Sequence, residues 1–294
     1  MDTSIVLVVG GTGHLGSQVV TALLDRGKQV RALVRPTSNA SRLAAAGVEL
    51  VGGDMMDMDS LVRAFEGVDA VVTTAAGYTH HSEGDTSDID TVGNSNLVDA
   101  AARAGVRRFV LTSILTCDQT PQIPHFWHKK LVEDRLEEKE VPFVALRPGA
   151  FLDQVTRFGG DPFAQGSLSW MGSPDVRLTF VLTADLAAYL AAAVDADIPA
   201  GERIDIGWDR PVSMQDIADI SSRLLGRKIQ VAPRPSDASP GASRVPQDMA
   251  AMFDWFETGR YVADTSRQEE VFGVPTAEDA VRRFIMSLGH QVAG

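Results

Sequence analysis

HFWHKKLVED, residues 125 to 134, sets an imidazole four residues before an ammonium, His125 before Lys129, with a second lysine, Lys130, directly behind. Imidazole exchanges a proton near neutrality. A lysine held inside a protein needs oxygen partners, and sugar hydroxyls can supply them. Helical geometry separates the two lysines. Residues 125, 129, 132 and 136 recur at i, i+4, i+7 and i+11 and read His, Lys, Val, Leu, so this stripe faces the protein body and Lys129 points inward. Residues 126, 130, 133 and 137 read Phe, Lys, Glu, Glu, a mostly solvated face that puts Lys130 on the surface. His125 has two readings, a proton donor or a polar residue at a helix start.

GGTGHLG follows an apolar run, SIVLVV, and opens a helix. In that context Gly10, Gly11, Thr12, Gly13, His14, Leu15 and Gly16 form a dinucleotide loop. Gly11 and Gly13 are expected to make the tight turn and let a pyrophosphate approach, and Gly16 to bring the helix close to the strand. The free N–H groups at the helix start receive the anion. At the tip of the second strand stands Arg35, in ALVRPTSNASR, where a carboxylate would select NAD. A guanidinium forks onto a 2′-phosphate instead, so the expected cofactor is NADPH/NADP+. Ser38, Asn39 and Arg42 add donors or simply begin a solvated helix. Asp54 in GDMMD accepts from the adenine amine, with Met55 over its ring, or else Asp54 caps a helix.

The formal net charge of −12 opposes phosphate backbones and anionic lipid, which argues against nucleic acid and membrane partners. One cysteine, Cys117, excludes an internal disulfide framework and a thiolate metal site, and His80 and His81 in YTHHSEGDTSD lack a third ligand at useful spacing. No metal is expected. Nothing reads as a signal peptide or a membrane span, so the expected compartment is the cytoplasm. The expected partner is a small-molecule substrate, met by a monomer or weak homo-oligomer.

These groups need a scaffold, and apolar runs alternate with helical patterns through the first half of the 294 residues. Strands are expected at SIVLVVG, VRALVR, VELVGG, DAVVTTAA, RRFVLTS and FVALRPG, with helices closing at Gly27, Gly47, Gly67 and Gly105. The fold class is α/β: a Rossmann-type doubly wound parallel sheet over residues 1–150, then a smaller C-terminal substrate-binding region over 151–294, with some segments returning to the sheet. After Gly149 the stretch FLDQVTRFGGDPFAQGSLSWMGSPD is long and apolar for a loop, and Phe151, Phe158, Phe163 and Trp170 read as a wall for a flat substrate, as an interdomain core, or as both, with Tyr78 a further substrate contact. PRPSDASPGAS has the composition of a linker.

GGTGHLG, VRALVR, the GD after strand three, AGVRRFVLTS and VPFVALRPGAF are similar to the atypical short-chain dehydrogenase/reductases of the NmrA and isoflavone-reductase type, over roughly residues 4 to 230. The resemblance implies a Rossmann domain with a small substrate domain, and NADP contacts from Thr74, Ala75, Ala76, Lys129, Pro148 and Gly149. In the wider superfamily Asn, Ser, Tyr and Lys do the chemistry. Ser113 matches the serine and Lys129 the lysine; Asp90 stands at the asparagine position, with Asn94 one turn away; His125 occupies the tyrosine position. None of Tyr78, Tyr189 and Tyr261 sits four residues before a lysine, so the tyrosine is missing. The implied function is an NADPH-dependent ketoreductase of a large apolar, polycyclic aromatic (polyketide-type) substrate. The alternatives are an NADP(H)-binding redox sensor without catalysis and a quinone or enone reductase.

Overall fold

A computed structural model describes residues 4–77, 88–155, 160–233 and 247–292. Tyr78, His80, His81, Phe158 and most of the PRPSDASPGAS stretch lie outside them. From the N-terminus the elements are β1 (Ile5–Val9), α1 (His14–Asp25), β2 (Gln29–Val34), α2 (Ser41–Ala45), β3 (Glu49–Gly52), α3 (Met58–Ala64), β4 (Val68–Thr73), a π-helical turn (Ile89–Gly93), α4 (Asn94–Ala104), β5 (Arg108–Thr112), a 3-10 turn (Cys117–Gln119), α5 (Pro124–Glu138) and β6 (Phe143–Pro148). Then come β7 (Ala150–Phe151), α6 (Leu152–Val155), α7 (Pro162–Gln165), β8 (Ser167–Trp170), β9 (Phe180–Val181), α8 (Thr183–Ala192) and β10 (Glu202–Ile206). The last are α9 (Met214–Leu225), β11 (Gln230–Pro233), α10 (Gln247–Glu257), α11 (Ser266–Phe272) and α12 (Ala277–Ser287).

The chain forms two compact units. One runs to Arg147 and regains Ala184–Ile204; the other holds Pro148–Thr183 and Asp205 onward. The sheet of seven strands has the order β10-β6-β5-β4-β1-β2-β3, a doubly wound arrangement. Strands β1 to β6 pair in parallel, as helical crossovers require. Their cores are unbroken apolar runs because helices cover both faces. Val6, Leu7, Val8, Val71, Val110 and Leu111 are fully buried. The expected C′ glycines at 27, 47, 67 and 105 all have positive φ. Sequence reading missed α11, and it missed the pairing of β8 with β11, two short strands whose register partners lie some sixty residues apart.

In the second unit the expected substrate wall is corrected. Phe163 is completely buried, edge-on to Phe284 at 5.2 Å. Trp170, also buried, packs on Phe180, Phe253 and Phe256 at 6.0, 5.7 and 6.5 Å. Both rings belong to this unit's own core. An apolar loop that must fold into a small unit buries its aromatics there first, since each contributes roughly 1.5–3 kcal/mol on full burial. Phe151 is half-buried in β7.

Candidate cofactor site

The loop from β1 to α1 turns at Gly10, whose φ of +86 suits glycine; a Cβ there would lie 2.6 Å from Thr74 Oγ1. Gly11 was expected to share the turn, but it is buried with negative φ, and a Cβ would make only ordinary contacts near 3.5 Å with Val8, Val20 and Leu43. Gly16 has no such latitude. A Cβ would fall 2.1 Å from Gly10 O, so its hydrogen lets α1 lie against the strand end. Gly13 is the N-cap of α1, exposed and extended, without a side-chain cap and without an acid in the first turn. Thr12 and His14 are exposed and Leu15 is half-buried. The positive end of a twelve-residue helix is thus left for an outside anion, which fits a pyrophosphate.

Arg35 follows β2 on the exposed side. Asn39 is a helix-start brace, accepting from Ser41 N at 3.1 Å and Ser41 Oγ at 2.8 Å. Asp54 is half-buried and accepts from Met56 N at 2.9 Å, while the cap of α3 is Asp57. Met55 is buried in the core against Gly93, which leaves little of it to cover a ring.

Past β4, Thr74 is tied to the glycine loop by its Oγ1, donating to Val9 O at 3.3 Å, and by its amide, donating to the same oxygen at 2.9 Å. The next residues, Ala75 to Gly77, are bracketed by two side chains. Lys129 Nζ donates to Ala75 O at 3.1 Å, and Asp90 Oδ2 accepts from Gly77 N at 3.0 Å. Lys129 Nζ and Asp90 Oδ1 are 3.9 Å apart, both buried. Lys129 points inward as the stripe requires; burial pushes its pKa below the ordinary lysine value, against the opposing pull of Asp90. An ammonium has three donors, so hydroxyls of a ligand can still be held. His125 shares the buried stripe, edge-on to Phe126 at 4.8 Å. Lys130 pairs with Asp134 on the same helix at the half-open surface.

The model of the NmrA-like family matches residues 2–277. The chain belongs to the NmrA-like family. It is 28% identical over 230 residues to the photosystem II assembly factor Ycf39 of Synechocystis, covering 78% of this chain and 70% of that protein. It is 30% identical to the NAD(P)H azoreductase of Xenophilus azovorans over 187 residues, 60% and 62% of the two chains. The triphenylmethane reductase of Citrobacter, solved with NADP(H), superimposes with a TM-score of 0.77 at 22% identity over 95% of this chain and 99% of that one. Its relatives thus include oxidoreductases.

For this NmrA-like chain one expectation from the superfamily and one from helical spacing change. Ser113 is buried, and its hydroxyl donates to Glu133 Oε1 at 2.6 Å, so it is committed to a carboxylate instead of a substrate. Glu133 itself was placed on a solvated face, yet it is fully buried. It also accepts from Arg147 Nε and Nη2 at 3.0 and 2.6 Å and from Arg203 Nε at 2.7 Å. The available signal was Arg147 inside the otherwise apolar strand FVALRPG, since a buried guanidinium requires an acid. Cys117 lies 3.6 Å from the same carboxylate; burial and that charge push its thiol up to about 12, which makes it unreactive. Pro148 and Gly149 serve packing in the second unit. Pro148 O accepts from the Tyr261 hydroxyl at 3.3 Å, Gly149 N donates to Ile206 O at 2.9 Å, and a Cβ on Gly149 would meet Thr179 O at 2.3 Å. Among the described residues no cluster of His, Cys, Asp or Glu could hold a metal, and no helix is long and apolar enough to cross a membrane.

Proposed function

We propose that the chain is an NADPH-dependent reductase of a large, flat aromatic acceptor, with a carbonyl carbon as the preferred target. The observation that carries this reading is the buried Lys129, held on the β4 loop by Ala75 O and standing beside Asp90, next to a glycine loop with an uncapped helix. Bound NADPH would supply the hydride. The residues of the chain would bind and orient it: α1 the pyrophosphate, Arg35 the 2′-phosphate, and Lys129 the ribose hydroxyls. Two relatives are named for reducing azo and triphenylmethane compounds, and this supports a flat conjugated acceptor.

Hydride addition to a ketone leaves charge on oxygen, which a proton must neutralise. With no tyrosine at the usual position and Ser113 committed to Glu133, the remaining sources are His125, the Thr112 hydroxyl, water and a phenol on the substrate beside the carbonyl. A phenol is already oriented and loses little entropy in donating. The test follows oxidation of NADPH with aromatic ketones and quinones, pairing each hydroxyketone with its methyl ether. The expected result is turnover, faster for the hydroxyketone by about 10²-fold or more, the usual reach of a placed acid. Ethers reacting equally fast, with His125→Ala dead, would assign the proton to the protein.

The likeness to a photosystem II assembly factor favours a second reading, an NADP(H)-binding protein that acts through a protein partner without catalysis. Tight NADPH binding without turnover across the panel would select it.

The cofactor choice has its own test. Arg35→Asp is expected to weaken NADPH binding by about 10- to 100-fold, the value of a charge-assisted pair at roughly 1.5–3 kcal/mol, and to change NADH binding little. Titration of both cofactors checks this, and equal affinity of the unaltered protein for the two would remove the argument.

A further inference from the structure

We propose that Asp90 is a positioning residue for Lys129: its carboxylate keeps the ammonium charged and locks it to the Ala75–Gly77 segment, so that charge and loop act as one element of the cofactor site. The proposal rests on the NADPH-binding reading above and specifies how that site is regulated by pH.

The geometry is a closed circuit. Lys129 Nζ reaches Ala75 O at 3.1 Å, Gly77 N reaches Asp90 Oδ2 at 3.0 Å, and Asp90 Oδ1 faces Nζ at 3.9 Å. Asp90 and Lys129 are only 2% and 5% exposed, so water screens their attraction weakly. Asp90 sits in a π-helical turn, the irregularity that re-aims a side chain within a helical run, and Asn94 Nδ2 braces that turn by donating to Ile89 O at 3.1 Å and Asp90 O at 3.4 Å. An asparagine at position 90 could accept from Gly77 N equally well. Only an acid adds the negative charge that a desolvated ammonium needs.

The other charged groups around α5 are already engaged. Glu133 is held by Arg147 and Arg203, Asp118 by Arg147 and Asp99 by Arg135. Cys117 stays a neutral thiol through the working range. His125 lies on the same buried stripe. That leaves Asp90 as the carboxylate recorded within 4 Å of the Lys129 ammonium among the described residues.

The sign follows from burial, which already lowers the Lys129 pKa while Asp90 raises it. Without the carboxylate the ammonium loses its proton at lower pH. The test uses Asp90→Asn and Asp90→Glu in the full chain, with selective isotope labelling of the lysine side chains and Lys129→Met to assign the resonance. In the cofactor-free protein Lys129 is expected to titrate below the other lysines, and in Asp90→Asn at least about one pH unit lower still, a tenfold change in its ionisation constant. Asp90→Glu should restore most of the difference. NADPH affinity should then fall off at correspondingly lower pH in Asp90→Asn, with little change at the acid end. An unmoved Lys129 titration in a folded Asp90→Asn protein overturns the proposal. If Asp90→Asn does not fold, Asp90→Ser takes its place: a Lys129 titration at least about one pH unit below that of the unaltered protein supports the proposal, and an unmoved one overturns it. A shifted titration without any NADPH binding would leave the coupling intact and remove the functional reading instead.

Discussion

Glu133→Ala is expected to cost about 3–5 kcal/mol of stability, the usual penalty for removing one partner of a buried ion pair. The carboxylate is fully buried and takes hydrogen bonds from Ser113, Arg147 and Arg203, joining α5 to the ends of β5, β6 and β10. Arg147 is held above the ordinary guanidinium value despite its burial, because the hydrogen bonds and charge of Glu133 outweigh desolvation. Removing Glu133 leaves that cation in the interior with, among the described residues, only the half-exposed Asp118 as counter-charge. Glu133→Gln keeps the shape and loses the charge, so it is expected to be nearly as damaging. Urea unfolding of the three proteins checks this, and a change below about 0.5 kcal/mol, the range of a neutral surface substitution, would show that the network contributes no more than an exposed pair.

Lys129→Met is expected to weaken NADPH binding or turnover by about 10- to 100-fold, whereas Lys130→Ala is expected to change either by less than about twofold. The size follows from one hydrogen bond to a charged donor, worth roughly 1.5–3 kcal/mol in a dry site. Lys130 contributes a single i,i+4 pair with Asp134, worth about 0.3–0.5 kcal/mol to the helix and nothing to the site. Methionine fills the lysine volume, so the comparison separates loss of charge from loss of packing. Fluorescence titration with NADPH and initial rates measure the two effects; damage from Lys130→Ala instead would mean that the helix presents its other face.

Much of the first unit was legible because its signals are local. A run such as IVLVV reads as a strand buried on both faces, and glycine after a strand and before a helix reads as a phosphate loop, since both patterns are set by neighbours within a few residues. The stripe through His125, Lys129, Val132 and Leu136 oriented Lys129 for the same reason. Local periodicity assigned Glu133 wrongly. A face is solvated or buried according to what packs on it, and the partners of Glu133 are Arg147 and Arg203, 14 and 70 residues away in sequence. The commitment of Ser113 to that acid was hidden with it.

What the sequence by itself determined was the order of strands and helices, the glycine loop, the arginine at the tip of β2 and the inward lysine, each a consequence of backbone period or turn chemistry. Tertiary structure alone decided which aromatics are core, which glycine makes the turn, and which acids meet which bases. Gly10 and not Gly11 takes the positive φ, and at Gly10 Thr74, arriving from β4, also occupies the space where a Cβ would go. Asp90 meets Lys129 because the π-helical turn and α5 converge on the residues after β4. Desolvation and charge pairing act through space, and distance along the chain carries no record of them.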